Sequence, residues 1–285
     1  MKSVTLTACA KVNLYLDVLR KLPDGYHELV TLFERIDLHD ELSVEVTSSS
    51  GLALTCDDPS LAVDSTNLVV RAAEAFRRLA GWNPGLRIHL KKKIPMGGGM
   101  GGGSSNAAVT LLALQKLSGG VLPKEKLISC ACALGADAAF FVGESSYGLG
   151  RGRGDEIEPL SCSARFWHLL VTPDFPIPTK TVYQHFELTA PPKEVAPLTK
   201  ALQAGTVSSV RDLLYNALEP VVEGLYPRIR QVKSEMEAAG LKRPMVSGSG
   251  STVFALCDSK EDAEQTAGNL RKKQPHWRVF TAETA

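Results

Sequence analysis

The 285-residue sequence predicts a mixed α+β fold with two domains. Segments in which apolar residues alternate indicate strands in both halves, and amphipathic segments with helical spacing lie between them. The pattern of elements changes near residue 160, and a chain of this length can bury two medium cores. We therefore predict an N-terminal domain over residues 1–160 and a C-terminal domain over residues 161–285.

Four short strands are predicted in the first half. Apolar residues alternate over residues 4–8, 12–18, 42–46 and 86–90. This spacing of two is typical of strands that bury one face. The last of the four is followed by a run of three lysines and then by a glycine-rich turn.

Three helices are predicted in the same half. Thr66-Asn67 precedes an amphipathic segment, residues 68–79, and a second helix is expected over about residues 105–117. Gly119 ends that helix, because glycine readily adopts the left-handed conformation that closes helices. Pro123 fits the first turn of a third helix, which ends at Gly135.

The second half predicts a ferredoxin-like layer. Its elements follow the order strand, helices, strand, strand, helix, strand, which is the order of that arrangement. The predicted segments are a strand over residues 166–171, a clear helix over 227–240, strands near Met245 and over 252–257, a helix over 261–273 and a strand over 277–281.

Composition excludes several classes of protein. The formal net charge is +1, so neither nucleic acid nor an anionic membrane is an expected partner. No apolar run approaches the roughly 20 residues that span a bilayer. The N-terminus lacks the apolar block of a signal peptide, and the six scattered cysteines form no zinc or disulfide pattern. We therefore expect a cytoplasmic protein with free thiols.

The glycine-rich turn is the main functional motif. Six glycines lie within residues 97–103, where ordering a backbone without side chains costs entropy. Close approach of backbone N–H groups to a phosphate offsets that cost, and a helix N-terminus attracts anions. The alternative is a flexible linker or a close-packing turn. The predicted phosphate-binding residues are Met96, Gly97, Gly98, Gly99, Met100, Gly101, Gly102, Gly103, Ser104, Ser105 and Asn106.

Two common phosphate motifs do not fit this turn. The P-loop requires a lysine after the glycines, and none follows here. The dinucleotide fingerprint is matched formally by Gly97, Gly99 and Gly102, but the acidic residue that it needs about 20 residues later is missing. An NAD-dependent oxidoreductase is therefore disfavoured.

The turn, together with two other segments, resembles the GHMP kinases, named for galactokinase, homoserine kinase, mevalonate kinase and phosphomevalonate kinase. Residues 95–108 are similar to their phosphate loop, residues 10–16 to their N-terminal signature and residues 247–254 to their C-terminal glycine motif. The resemblance implies a two-domain GHMP kinase fold. Its N-terminal α/β domain would be like domain 2 of ribosomal protein S5 and would bind ATP, and its C-terminal α+β domain would be ferredoxin-like.

Residues 11–14, 24–29 and 135–141 are most similar to members of that superfamily with a cytidine diphosphate-linked methylerythritol as substrate. The resemblance implies ATP-dependent phosphorylation of the 2-hydroxyl, giving the 2-phosphate and ADP, in the non-mevalonate route to isoprenoid precursors. A homoserine or mevalonate type of kinase is the first alternative. A non-catalytic nucleotide sensor built on the same fold is the second.

Two residues are the catalytic candidates. Asp137 would remove the hydroxyl proton or orient the hydroxyl, and its alternative role is a helix N-cap. Lys11 would keep that carboxylate ionised and offset charge on the phosphoryl group, and the resemblance pairs the two residues. The alternative for Lys11 is a solvated lysine at a strand edge. Alternation places Lys11 and Asn13 on the same face of their strand.

The resemblance assigns recognition of the cytidine group to rings and amides. A ring stacks on a base, and a histidine can hydrogen-bond the base edge. The alternative for each ring is ordinary packing. The predicted substrate-binding residues are Asn13, Tyr26, His27, Tyr183, Gly248 and Ser249, of which the last two would lie beside the diphosphate or the acceptor.

The remaining assignments concern adenine, metal and assembly. The resemblance places Lys93 and Asn67 near adenine, against the alternatives of a solvated turn and a helix-start residue. Mg²⁺ is implied by the reaction class; the hydroxyls of Ser104 and Ser105 could reach it, and Ser105 is the candidate ligand. We expect a monomer or weak homodimer. His168 has no recognisable constellation of partners and is expected to be structural.

Overall fold

The computed structural model describes residues 2–188 and 191–285. The chain divides into two compact units that are interleaved in sequence. Unit 1 contains the described residues up to Ala10, together with His39–Ile94 and Gly101–Glu144. Unit 2 contains Lys11–Leu38, Pro95–Met100 and the chain from Ser145 onward. The predicted boundary near residue 160 divides the chain into two consecutive domains, whereas these units are interleaved in sequence. The boundary therefore stays a prediction.

The strands fall into two sheets. Those of the first sheet are β1 (Ser3–Lys21), β2 (His27–Thr47), β3 (Leu52–Cys56), β4 (Gly85–Lys91), β5 (Tyr147–Arg151), β6 (Glu156–Leu160) and β8 (Tyr215–Asn216). Those of the second sheet are β7 (Trp167–Thr172), β9 (Met245–Val246), β10 (Val253–Cys257) and β11 (Arg278–Glu283).

The helices occupy the segments between the strands. In unit 1 they are α1 (Leu68–Ala80), α2 (Gly102–Ser118), α3 (Lys124–Leu134) and α4 (Ala138–Val142). In unit 2 they are α5 (Thr179–Gln184), α6 (Ala196–Ala204), α7 (Val207–Arg211), α8 (Glu219–Leu225), α9 (Arg228–Ala238) and α10 (Lys260–Lys273).

The first strands are longer than the sequence predicts. The two segments at residues 4–8 and 12–18 belong to one continuous strand, β1, and the segment at 42–46 is only the end of β2. Every residue from Lys11 to Val18 is buried. The apolar alternation of residues 4–8 continues in the same phase through Ala10 into residues 12–18, so the two predicted strands are one.

The first sheet has the strand order β3-β4-β2-β1-β8, with β5 beside β2 and β6 beside β5. In unit 1, β3 runs parallel to β4, and residues 41–47 of β2 pair antiparallel with residues 85–91. In unit 2, residues 31–34 of β2 pair antiparallel with residues 147–150. Strands β3, β5, β6 and β8 were not predicted.

The second sheet has the strand order β11-β7-β10-β9. Within the strand-helix-strand-strand-helix-strand series these are the fourth, first, third and second strands, and all pairings are antiparallel. This arrangement confirms the predicted ferredoxin-like layer. Its core includes Leu169, Val171 and Ala255 from the sheet, and Val232 and Leu270 from the two helices that pack on it.

A buried polar network joins β2, β5, β7 and the C-terminal residues within unit 2. The Glu34 carboxylate lies 3.0 Å from His168 Nε2 and accepts a hydrogen bond from the Tyr147 hydroxyl at 3.2 Å. It also accepts one from the Thr284 hydroxyl, and all four residues are at most 1 % exposed. His168 is structural, as predicted, but the expectation that it has no constellation of partners is wrong.

All helices in residues 2–188 and 191–285 are too short or too polar to cross a bilayer.

Candidate active site

The first half of the glycine turn packs against the C-terminal glycine motif in unit 2. Gly98 O accepts a hydrogen bond from the Thr252 N–H at 3.1 Å, and Gly99 O accepts one from the Ser247 hydroxyl at 3.0 Å. Gly99 has a φ of 75°, and a Cβ on it would lie 2.1 Å from Ser247 O. A side chain at Gly99 would therefore prevent this contact between the two loops.

The N-terminal signature meets the same two loops. Lys11 Nζ donates to Gly99 O at 2.8 Å and to Asn13 Oδ1 at 2.6 Å. A Cβ on Gly248 would lie 3.1 Å from Asn13 Oδ1 and 3.5 Å from Lys11 Nζ. Three motifs that are far apart in sequence thus converge within one unit. Lys11 is 3 % exposed, which excludes the alternative of a solvated lysine at a strand edge.

The orientation of the Asn13 amide follows from a chain of buried hydrogen bonds. The Thr31 hydroxyl donates to Tyr15 O at 2.8 Å, and a hydroxyl has only one hydrogen to donate. Thr31 Oγ1 is therefore an acceptor toward Asn13 Nδ2, at 2.7 Å. The Asn13 oxygen must then face Lys11. Thr31 was not among the predicted site residues, because threonine in a strand is ordinary.

Two further polar side chains hold the C-terminal glycine motif. Asn216 Nδ2 donates to Gly248 O and to Val246 O, both at 2.8 Å. The Thr179 and Ser249 hydroxyls lie 2.8 Å apart at the start of α5. Neither Asn216 nor Thr179 was predicted, since each lies in a segment without a recognisable motif.

The structure brings His27 and Tyr183 together. Their ring centroids lie 5.2 Å apart at an interplanar angle of 31°. Burial, and secondarily the charge of Lys21, lower the pKa of His27 from its usual 6.5. The neutral imidazole is therefore favoured, and it has one donor and one acceptor nitrogen.

Tyr26 lies in the predicted turn next to His27. Its backbone N–H donates to Asp24 Oδ1 at 3.0 Å, and its side chain is 59 % exposed. The Arg153 guanidinium lies 4.3 Å from the centre of the Tyr26 ring and also pairs with the Asp24 carboxylate. A guanidinium on an aromatic face is a favourable contact, so one face of this exposed ring is already occupied.

The second half of the glycine turn forms the start of α2 in unit 1. The helix begins at Gly102 with Gly101 as its N-cap, so the prediction that it begins near Ser105 is wrong. The first N–H with an intrahelical acceptor is that of Ser105, which bonds Gly101 O at 2.8 Å. The helix thus starts at glycine residues, without a side-chain cap. The preceding N–H groups, those of residues 102–104, lie in the first turn, where helices bind anions.

Ser105 supplies a second indication of a ligand at this helix end. It is completely buried, and its hydroxyl oxygen has no hydrogen-bond partner among the described residues. A buried hydroxyl without a partner is costly and requires an explanation. An anion or a cation at the start of α2 would satisfy it.

Asp137 lies close in sequence to a residue that touches this helix end. A Cβ on Gly135 would lie 3.2 Å from Ser104 Oγ, so the segment that leads to Asp137 packs beside the start of α2. Asp137 occupies the N-cap position of α4, but its side chain makes no capping hydrogen bond there. The capping alternative therefore does not explain this carboxylate. The pairing of Asp137 with Lys11 stays a prediction.

The two residues predicted near adenine differ in environment. Asn67 is the N-cap of α1: it accepts from the Val69 N–H at 2.9 Å and donates to Ala62 O at 2.6 Å. This supports the helix-start alternative for Asn67. Lys93 is exposed, whereas the side chain of its neighbour Lys92 is 6 % exposed and pairs with Asp40. The adenine roles of Asn67 and Lys93 stay predictions.

A dedicated metal centre is not found in the described parts of the chain. No group of three or more His, Cys, Asp or Glu side chains in residues 2–188 and 191–285 is arranged to hold a metal ion. Ser105 Oγ, which has no hydrogen-bond partner among the described residues, lies in the first turn of α2.

Comparison with known proteins agrees with these motifs. Residues 67–144 match the family described as GHMP kinases N terminal domain, and residues 198–276 match GHMP kinases C terminal. A 4-diphosphocytidyl-2-C-methyl-D-erythritol kinase of Geobacter sp. (strain M21) is 40% identical over 273 residues, which is 95% of this chain and 96% of that protein.

Two solved structures share the fold. A crystal structure of 4-(cytidine 5'-diphospho)-2C-methyl-D-erythritol kinase is 36% identical with a TM-score of 0.85, covering 98% of both chains. A homoserine kinase from Cytophaga hutchinsonii is 22% identical with a TM-score of 0.76, covering 100% of this chain and 95% of that one, and it shows the fold alone. The chain belongs to the GHMP kinases, in the family of the 4-diphosphocytidyl-2-C-methyl-D-erythritol kinases.

Proposed function

We propose that the protein transfers the γ-phosphoryl group of ATP to the 2-hydroxyl of 4-diphosphocytidyl-2-C-methyl-D-erythritol, giving the 2-phosphate and ADP, in the non-mevalonate route to isoprenoid precursors. The relatives' names support this acceptor. In the structure, the ring pair of His27 and Tyr183 supports this acceptor over homoserine or mevalonate. An acceptor without a base would have no use for that pair.

ATP phosphates would bind at the start of α2. The first-turn N–H groups and the unpartnered Ser105 hydroxyl together offer an anion several donors at the positive end of a helix. Mg²⁺ would be bound mainly by the phosphates, with Ser105 as the one protein ligand proposed. When bound, it neutralises charge on the phosphate oxygens.

The chemistry assigned to the protein is positioning and charge stabilisation, as in other phosphoryl transfers. Asp137 would accept a hydrogen bond from the acceptor hydroxyl, orienting it or taking its proton. The Lys11 ammonium, held by Asn13 Oδ1 and Gly99 O, would offset negative charge on the transferring group. Because Lys11 is buried and held by two oxygens in unit 2, its charge needs no rearrangement during the reaction.

Cytosine would be recognised by the rings of unit 2. Tyr26 would stack on the base with the ring face that Arg153 leaves open. His27, which burial keeps neutral, would offer both a donor and an acceptor to the base edge. Asn13, Gly248 and Ser249 would lie along the remainder of the substrate.

An assay of ADP release over a panel of hydroxylated acceptors tests the proposal. We expect turnover with the cytidine diphosphate-linked methylerythritol, and no turnover with homoserine or mevalonate. Phosphorus NMR of the product should show a new phosphomonoester and an intact diphosphate. Turnover of homoserine or mevalonate instead would refute the proposed acceptor, and ATP binding without turnover of any acceptor would favour a nucleotide sensor.

A further inference from the structure

A buried carboxylate in unit 1 accepts hydrogen bonds from residues on either side of the glycine turn. Asp40, in β2, is completely buried. Its Oδ1 accepts from the N–H groups of Lys93 at 2.7 Å and Ile94 at 2.8 Å, just before the turn. Its Oδ2 accepts from Asn106 Nδ2 at 2.9 Å, in the helix that follows the turn. A single side chain thus links the two ends of the segment that contains the six glycines.

Lys92 balances the charge of this carboxylate. Its ammonium pairs with Asp40 and donates to Asn106 Oδ1 at 3.2 Å, so both ends of the Asn106 amide are bonded within the cluster. A Cβ on Gly102 would lie 3.0 Å from the Ile94 side chain and 3.5 Å from Lys92 Nζ. The first turn of α2 therefore packs directly on the residues that Asp40 holds.

We propose that Asp40 is a positioning residue for the phosphate groups of ATP. The inference rests on the proposed function, because it takes the start of α2 as the phosphate site. A glycine-rich segment has many conformations, and ordering it costs free energy each time a ligand binds. Fixing both ends of the segment before binding reduces that cost, which is the general basis of preorganised recognition. Asp40 itself is buried and acts only through the residues that it holds.

The geometry defines a sharp perturbation and a matched control. In Asp40→Asn, the remaining oxygen still accepts from Lys93 and Ile94, but the new amide group faces two donors, Asn106 Nδ2 and the Lys92 ammonium. The link to α2 is lost while the link to the strand end remains. The double variant Asp40→Asn/Asn106→Asp exchanges the two groups, so that the carboxylate is on α2 and the amide is on β2. The carboxylate can accept from the amide and pair with Lys92, so the link is restored with the same net charge.

The test measures two dissociation constants by isothermal titration calorimetry on folded protein. One is for ATP with Mg²⁺, and the other is for the cytidine diphosphate-linked methylerythritol. We expect Asp40→Asn to raise the Kd for ATP by about tenfold or more, as expected when buried donors lose their acceptor. The Kd for the cytidyl substrate, whose predicted ligands lie in unit 2, should stay within about twofold. The double variant should regain most of the ATP affinity, because the Asn106 side chain is bonded within the cluster and its backbone is unchanged.

An unchanged ATP affinity in folded Asp40→Asn would overturn the inference and leave Asp40 a residue of the core only. Equal losses for both ligands would overturn it too, since they indicate general damage. If Asp40→Asn does not fold, Asn106→Ala removes the same link from the helix side, and an ATP Kd within about twofold of the wild type would again overturn the inference. A wild-type protein that binds no ATP would instead refute the proposed function.

Discussion

Replacing Thr31 with valine should lower turnover without changing the residues that contact the substrates. Valine has nearly the shape of threonine but lacks the hydroxyl that Asn13 Nδ2 donates to at 2.7 Å. Asn13 then has a buried amide nitrogen without an acceptor, and the constraint that turns its oxygen toward Lys11 is removed. Lys11 keeps its hydrogen bond to Gly99 O at 2.8 Å, so the ammonium stays nearby but is less well oriented.

The expected losses of stability and of kcat follow from the two hydrogen bonds of Asn13 that the substitution affects. An unsatisfied buried donor costs about 1–3 kcal/mol, so the free energy of unfolding should fall by about that amount. The hydrogen bond between the Lys11 ammonium and Asn13 involves a charged donor and is worth about 1.5–3 kcal/mol. If that contribution is lost in the transition state, kcat should fall by about ten- to a hundredfold, because each 1.4 kcal/mol is a factor of about ten.

The assay is steady-state ADP release with each substrate varied in turn, together with thermal unfolding followed by circular dichroism. We expect the KM for ATP to change by less than about twofold, since the start of α2 is not altered. Thr31→Ser is the matched control: it keeps the hydroxyl and should keep most of kcat. The reasoning is refuted if Thr31→Val retains wild-type kcat, or if Thr31→Ser loses as much turnover as Thr31→Val.

Three further outcomes test the site. Asp137→Asn should lower kcat by about a hundredfold or more while ATP binding, measured by calorimetry, stays nearly intact; normal turnover would remove this carboxylate from the mechanism. Ser105→Ala removes a hydroxyl that has no partner within residues 2–188 and 191–285, so the melting temperature should hold or rise while KM for ATP increases by about three- to tenfold; an unchanged KM would show that the hydroxyl meets no ligand. Because the pKa of His27 lies below 6.5, its imidazole is neutral at pH 7, and affinity for the cytidyl substrate should be level from pH 8 to about 6.5 and weaken only at lower pH, as protonation removes the acceptor nitrogen. His27→Gln, which cannot titrate, should abolish this fall, and a fall of the same size in that variant would contradict the assignment.

Local patterns in the sequence were sufficient to predict the amphipathic helices and the functional motifs. The helix α1 begins one residue after Asn67, as its apolar spacing and cap predict, and Gly119 ends α2 with φ of 83°. The ferredoxin-like strand order also agrees with the order of elements along the chain. The helices and their caps depend on interactions between residues a few positions apart, which leave a periodic signal in a single sequence.

The buried polar contacts could not be predicted in this way. Asp40 and Asn106 are 66 positions apart, and Glu34 and His168 are 134 positions apart, so nothing local marks them as partners. The same limit applied to Thr31, whose hydroxyl orients Asn13 across neighbouring strands.

The sequence by itself determined the family motifs, the glycine turn and the side chains available for phosphoryl transfer. Only the tertiary structure decided that α2 begins at Gly102, that the buried Ser105 hydroxyl has no partner in the described part of the chain and that Asp40 links the two ends of the turn. The physical reason is that a buried polar group must find a partner wherever the folded chain provides one. That choice depends on which distant segments are packed together, and it leaves no periodic trace along the chain.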